Sequence, residues 1–190
     1  DRDETAKTLL AWMDEDIYGF CHQLERDAVK AFDKDGLAAF ERQVRTRPDA
    51  TPVQDRDRAY ARRRRGEVLR AIYAQQQDVA AYVALCEKTE LSAQDCLEVA
   101  TMLKARRKPD DALAWAERGL ALEKKDPHGS MAGLDLAKLK RDLLSKLGRS
   151  GDALEEAWGE FREFPDTLSY EELMRFVPKT KRAAWHAKAM

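Results

Sequence analysis

Apolar positions recur along this chain at helical spacing, most regularly between residues 92 and 124. Cys96, Val99, Ala100 and Leu103 fall at i, i+3, i+4 and i+7, one stripe of a 3.6-residue period. Ser92 stands at the N-cap position, and Asp95 sits where a capping box puts its acidic partner. Positive charge over Ala105-Arg106-Arg107-Lys108 suits the negative end of that helix. Pro109 ends it and fits the first turn of the next, where Asp110 and Asp111 meet the positive end of the dipole. Leu113, Ala116, Leu120 and Ala121 give the second helix its buried side. Ala112, Ala116 and Gly119 are small enough for close approach. A turn this short obliges the two helices to run antiparallel.

A looser copy follows over residues 134–165. Leu136, Leu139, Leu143 and Leu147 form its first stripe, and Gly148 is placed to end that helix in a left-handed conformation. Ser150 is the expected cap of the next helix. Ala153, Ala157 and Phe161 recur at four-residue steps there, flanked by Leu154 and Trp158, and Pro165 closes the segment. Both copies carry a turn, an acidic residue and Ala-Leu, as Pro-Asp-Asp-Ala-Leu at 109–113 and Gly-Asp-Ala-Leu at 151–154.

These two hairpins resemble the tetratricopeptide repeat, a helix-turn-helix unit with small residues and a turn glycine at fixed places. The first copy matches at Ala100, Ala112 and Gly119, with Arg107 in the glycine slot. The second matches at Gly148, Ala153 and Pro165, with Arg141 and Glu160 in the two small-residue slots. Ala112 and Ala153 are 41 residues apart, more than the roughly 34 of the repeat class.

The rest of the chain extends the pattern. Residues 3–14 present Leu9, Leu10 and Met13. Residues 16–33 present Ile17, Cys21, Leu24 and Ala28. Residues 37–46 present Leu37, Phe40 and Val44. The loop 47–54 holds two of the six prolines and is the one candidate boundary. A long helix over 55–75 turns from polar to apolar through Val68, Leu69, Ile72 and Tyr73, and one over 78–88 carries Val79, Tyr82, Val83 and Cys86. Ser169 to Glu172 reads as a capping box, and a basic helix ends the chain. No alternating β-branched run of strand length occurs. The expectation is an all-α fold of about ten helices. It would be a right-handed α-solenoid of antiparallel hairpins, tetratricopeptide-like, with N-terminal helices over 1–50 and repeats over 51–190 in one continuous array. The strings at 12–32 and 75–120 are also similar to a bacterial family of unknown function, whose helical hairpins resemble those accompanying SWIM-type zinc fingers. That resemblance implies a fold and no activity. The cysteine and histidine pattern of a SWIM finger does not occur.

Charged residues make up 36% of the chain at a net charge of −1, a balance suited to exposed helix faces rather than to a strongly basic nucleic-acid binder. Cys21, Cys86 and Cys96 share no metal-binding spacing and read as reduced, buried thiols of a cytoplasmic protein. No apolar run is long enough to span a membrane, and no signal peptide stands out. The start at Asp-Arg-Asp, without methionine, suggests a piece of a longer protein. No HExxH, GxSxG or phosphate-binding glycine loop is present, and Cys21-His22 diverge around a helix. No catalytic residue, cofactor or metal is expected.

Two surfaces remain as binding candidates. Under the tetratricopeptide resemblance, ligand-facing positions lie on the first helix of each hairpin. Here these are Thr101 and Lys104, then Lys138, Asp142 and Lys146. Lysines there suit an acidic or extended peptide of another protein. The plainer alternative is ordinary surface charge. The second candidate is the run Arg62, Arg63, Arg64 and Arg65, within a segment of seven arginines against three acids. It offers a phosphate patch for nucleic acid, or else a solvated face with ion pairs. Trp115, Trp158, Phe161 and Phe164 at helical spacing are core residues before they are a groove lining.

Overall fold

The structure, a computed structural model, describes residues 2–15, 24–46, 55–125 and 131–190. Among them lie eleven α-helices, one short 3-10 turn and no strand. The chain divides into two compact units, 1–90 and 91–190. The expected contributions of Ile17 and Cys21, the loop 47–54 and the side chain of Arg62 fall outside the described residues.

The first unit holds α1 (Arg2–Glu15), α2 (Leu24–Ala31), α3 (Lys34–Thr46), α4 (Asp55–Gln76) and α5 (Val79–Lys88). The stripes anticipated from spacing are buried on three helices: Leu9, Leu10 and Met13 on α1, Leu37, Phe40 and Val44 on α3, and Val68, Leu69, Ile72 and Tyr73 on α4. On α2 the expected Leu24 and Ala28 are half-buried, and Val29 and Glu25 face inward instead. On α5 only Tyr82 and Cys86 are fully covered. Packing runs α1 on α3, α2 on α4, α3 on α4 and α4 on α5. Asp33 caps α3, its Oδ1 accepting from the Gly36 N–H at 2.8 Å. That bond, and Arg2 alongside, hold its carboxyl below the usual range.

The second unit holds α6 (Ala93–Ala105), α7 (Pro109–Glu123), α8 (Met131–Lys146), α9 (Ser150–Glu163), α10 (Thr167–Phe176), a 3-10 turn (Lys179–Lys181) and α11 (Arg182–Ala189). Each helix packs on the next from α6 to α11, and α6 also packs on α8. That is the contact pattern of a helical repeat. Cys96, Val99, Ala100 and Leu103 are all buried, as are Ala112, Leu113, Ala116, Leu136, Leu139, Leu143, Ala153 and Ala157. Burial pushes the Cys96 thiol up to about 11, so it is protonated and inert at neutral pH. Gly119 is where three helices meet. A Cβ there would lie 2.7 Å from Leu136 Cδ1 and 2.8 Å from Cys96 Cβ.

One turn recurs between paired helices. At α4–α5, α6–α7 and α8–α9 the linking residue has positive φ: Gln77 at 58°, Arg107 at 59° and Gly148 at 77°. In each case the following N–H reaches back five residues, Asp78 to Tyr73, Lys108 to Leu103 and Arg149 to Leu144. This is the Schellman ending, which favours glycine because a Cβ crowds the backbone there. Arg107 therefore occupies the glycine slot in geometry as well as in register. Arg107→Gly should raise stability by about 1 kcal/mol, seen as a higher urea midpoint at unchanged slope.

Several local expectations change. Ser92 and Asp95 do form the reciprocal capping box, at 3.1 and 3.0 Å. Ser150 does not cap α9: it is the first helical residue, and Arg149 takes the cap position, its side chain donating to Asp152 at 2.7 Å rather than capping a backbone N–H. The second capping box belongs to Asp166 and Ser169, at 2.7 and 3.1 Å, not to Ser169 and Glu172. A carboxylate accepts from a helix N-terminus better than a hydroxyl, and starting the helix at Asp166 gains a further turn. The Ser169 backbone N–H lowers the Asp166 pKa below its ordinary value. Ala121 is exposed and Leu120 half-buried, because α7 turns its Ala112–Ala116–Gly119 line inward instead. Phe164, taken with the core aromatics, is exposed at the end of α9. Trp158 and Phe161 pack with Trp185 of α11 on Ala157, Leu173 and Val177, so the basic terminal helix closes this end of the second unit.

Candidate binding cleft on the first helices of the repeat

In the second unit α6, α8 and α10 lie side by side, linked by packing of α6 on α8 and by ion pairs between α8 and α10. A cleft of about 390 Å³ opens among them at the α8–α9 turn, lined by Lys104, Asp142, Ser145, Lys146, Ser150, Arg175 and Phe176. Three cations from three different helices therefore face one carboxylate. Two hydroxyls and the N-terminus of α9 complete the lining, so the cleft favours an anionic group.

Three of the residues that the tetratricopeptide resemblance singles out come together here: Lys104, Asp142 and Lys146. Asp142 bridges two helices. Its Oδ2 lies 3.8 Å from Lys104 Nζ, and its Oδ1 accepts from Arg175. Lys138 is exposed one turn earlier on α8, and Thr101 is exposed one turn before Lys104 on α6. Both stand along the same helix faces by spacing but do not line the cleft. Arg175 was not among the predicted residues. The segment around it lacks the turn signature of the other hairpins.

Arg175 is held from three sides. One arm reaches Asp142, the other donates to Glu172 Oε2 at 2.9 Å, and its guanidinium carbon lies 4.9 Å from the Phe176 ring centroid. Glu172 in turn accepts from Arg141 Nε at 3.4 Å, and Arg141 also donates to Glu160 of α9. Arg141 is only 4% exposed. Arg141 and Glu160 are the two residues that break the small-residue pattern of the second hairpin. In the fold they are one ion pair, which Glu172 extends to α10, so the buried guanidinium is not left without a counter-charge.

The arginine run on α4 is spent differently. Arg63 donates to Glu67 at 3.2 Å, and Arg64 lies 3.7 Å from Glu25 and 3.8 Å from Glu67. Arg65 is half-buried. Of these partners only Glu25 lies outside the segment, so the pairs offset one charge of its excess. Among the described residues no group of three or more His, Cys, Asp or Glu is arranged to hold a metal ion, and no helix is long and apolar enough to cross a membrane.

Fold and cleft together define an all-helical repeat domain, with an ion-lined cleft and no recognisable catalytic constellation among the described residues. The chain belongs to the family of unknown function DUF6880, whose model matches residues 1–180. No curated protein matches it. No solved structure matches it either.

Proposed function

We propose that the second unit is a tetratricopeptide-like array of right-handed sense that serves as a non-catalytic scaffold. It would bind an acidic, extended segment of another protein along α6, α8 and α10. The observation that carries this reading is the convergence of Lys104, Lys146 and Arg175, from three helices, on one cleft with a single carboxylate. Neighbouring Lys138 and Thr101 extend the same faces away from the cleft and suit a ligand longer than one residue. Long-range attraction from these cations speeds encounter, and specificity then rests on contacts within the cleft.

The test is binding of a fluorescein-labelled hexaglutamate peptide to the whole chain, followed by anisotropy at low salt. Lys104→Glu combined with Lys146→Glu should weaken binding by about a hundredfold, since two attractions become repulsions. Lys138→Glu alone should weaken it by less than about fivefold, as expected of an exposed charge at the margin. Unchanged affinity in the double variant would remove the cleft as the peptide site.

A further inference from the structure

The cleft is already occupied by a carboxylate of its own. Asp142 sits where an incoming acidic side chain would sit, between Lys104 of α6 and Arg175 of α10. We propose that Asp142 is a built-in competitor: an acidic segment binds by taking over its cations, and Asp142 sets the affinity threshold of the cleft. The inference rests on the peptide-binding reading above.

Three features point to exchange rather than to a fixed structural bridge. The Lys104–Asp142 separation of 3.8 Å is a loose pair, and both side chains keep about a third of their surface in water, 31% and 27%. A neighbouring pair differs: Arg141 is 5% exposed at the side chain and is gripped by two glutamates. Arg175 does not depend on Asp142 for its place. Glu172 holds its other arm at 2.9 Å, Phe176 lies against its guanidinium, and Glu172 is itself fixed by Arg141. One arm of Arg175 can therefore change carboxylates while the other stays anchored. Lys146 lines the same cleft and has no carboxylate within ion-pair distance among the described residues, so the site retains a cation that Asp142 does not neutralise. An arriving glutamate thus meets one open cation before it displaces anything.

The experiment compares wild type with Asp142→Asn, an isosteric change that removes the competing charge, using the same labelled hexaglutamate and the whole chain. Asp142→Asn should bind about tenfold more tightly, from lost competition and lost repulsion. The gain should shrink as salt rises, because the cleft is open to water. Wild-type binding that Lys104→Glu/Lys146→Glu abolishes, with Asp142→Asn no tighter, overturns the competitor role and leaves the peptide cleft standing. Absence of binding in both proteins removes the cleft reading and the competitor with it. A second measurement needs no variant: the 13C resonance of the Asp142 carboxyl in the wild-type protein. It should move in step with peptide occupancy and not with equivalent sodium chloride. A resonance that stays put at saturation refutes displacement even if Asp142→Asn fails to fold.

Discussion

Arg141→Met should cost the second unit about 3 kcal/mol, and adding Glu160→Met should restore most of it. The first change keeps much of the side-chain volume but strips a buried pair of its cation. Glu160 and Glu172 then lose the cation they share between α8, α9 and α10. Both glutamates keep some contact with water, at 31% and 18% side-chain exposure, which places the loss at the lower end for a broken buried pair. The second change removes the stranded charge, while Glu172 keeps its partner in Arg175. The pair should therefore be strongly non-additive in a double-mutant cycle, with a coupling energy of about 2 kcal/mol. Urea unfolding followed by circular dichroism reads all three variants. Losses that simply add would show that Arg141 and Glu160 do not act as one unit.

This pair marks the limit of what spacing reveals. Helix faces were legible because burial of a stripe is decided locally: Cys96 to Leu103 and Leu136 to Leu143 point inward wherever the helix is packed. Turns were legible for the same reason. Gly148 announces a left-handed ending, and the repeat register places Arg107 in the same slot although its side chain disfavours it. What stayed hidden depends on meetings across sequence. Arg141 and Glu160 look like two separate departures from a repeat, and only the packing of α8 on α9 turns them into one contact. Arg175 enters the cleft because α10 repeats the role of α6 and α8, although its segment lacks their signature. The choice between Asp166 and Ser169 as cap is a competition of small energies, and the carboxylate prevails. The candidate site was thus legible in its first two helices and not in its third.

Glycine substitutions in the same unit should separate packing from propensity. Gly119→Val should destabilise it by about 3 kcal/mol, Gly119→Ala by about 1 kcal/mol, and Gly159→Ala should stabilise it by about 0.5–1 kcal/mol. Both positions are helical, so the intrinsic preference for alanine over glycine is the same at each, about 1 kcal/mol. At Gly159 nothing lies within 4 Å of a new Cβ, and the preference is realised in full. At Gly119 the same atom meets Leu136 Cδ1 at 2.7 Å and Cys96 Cβ at 2.8 Å. The leucine methyl can swing aside. The cysteine Cβ is fixed to the backbone of α6, so relief requires α6 and α7 to part. Separating them opens the contacts of Ala100, Ala112 and Ala116, which are fully buried, and overpacking of this kind costs roughly 1–3 kcal/mol. Valine adds two methyls and a stiffer side chain with no compensating preference. A second-site Leu136→Ala should relieve little of the Gly119→Ala loss, because the rigid contact is with Cys96 and Leu136 is itself a core residue. A graded series in melting temperature, with Gly119 variants falling and Gly159→Ala rising, is the expected record. If Gly119→Ala instead matched Gly159→Ala, the close approach of α6, α7 and α8 at this glycine would be wrong.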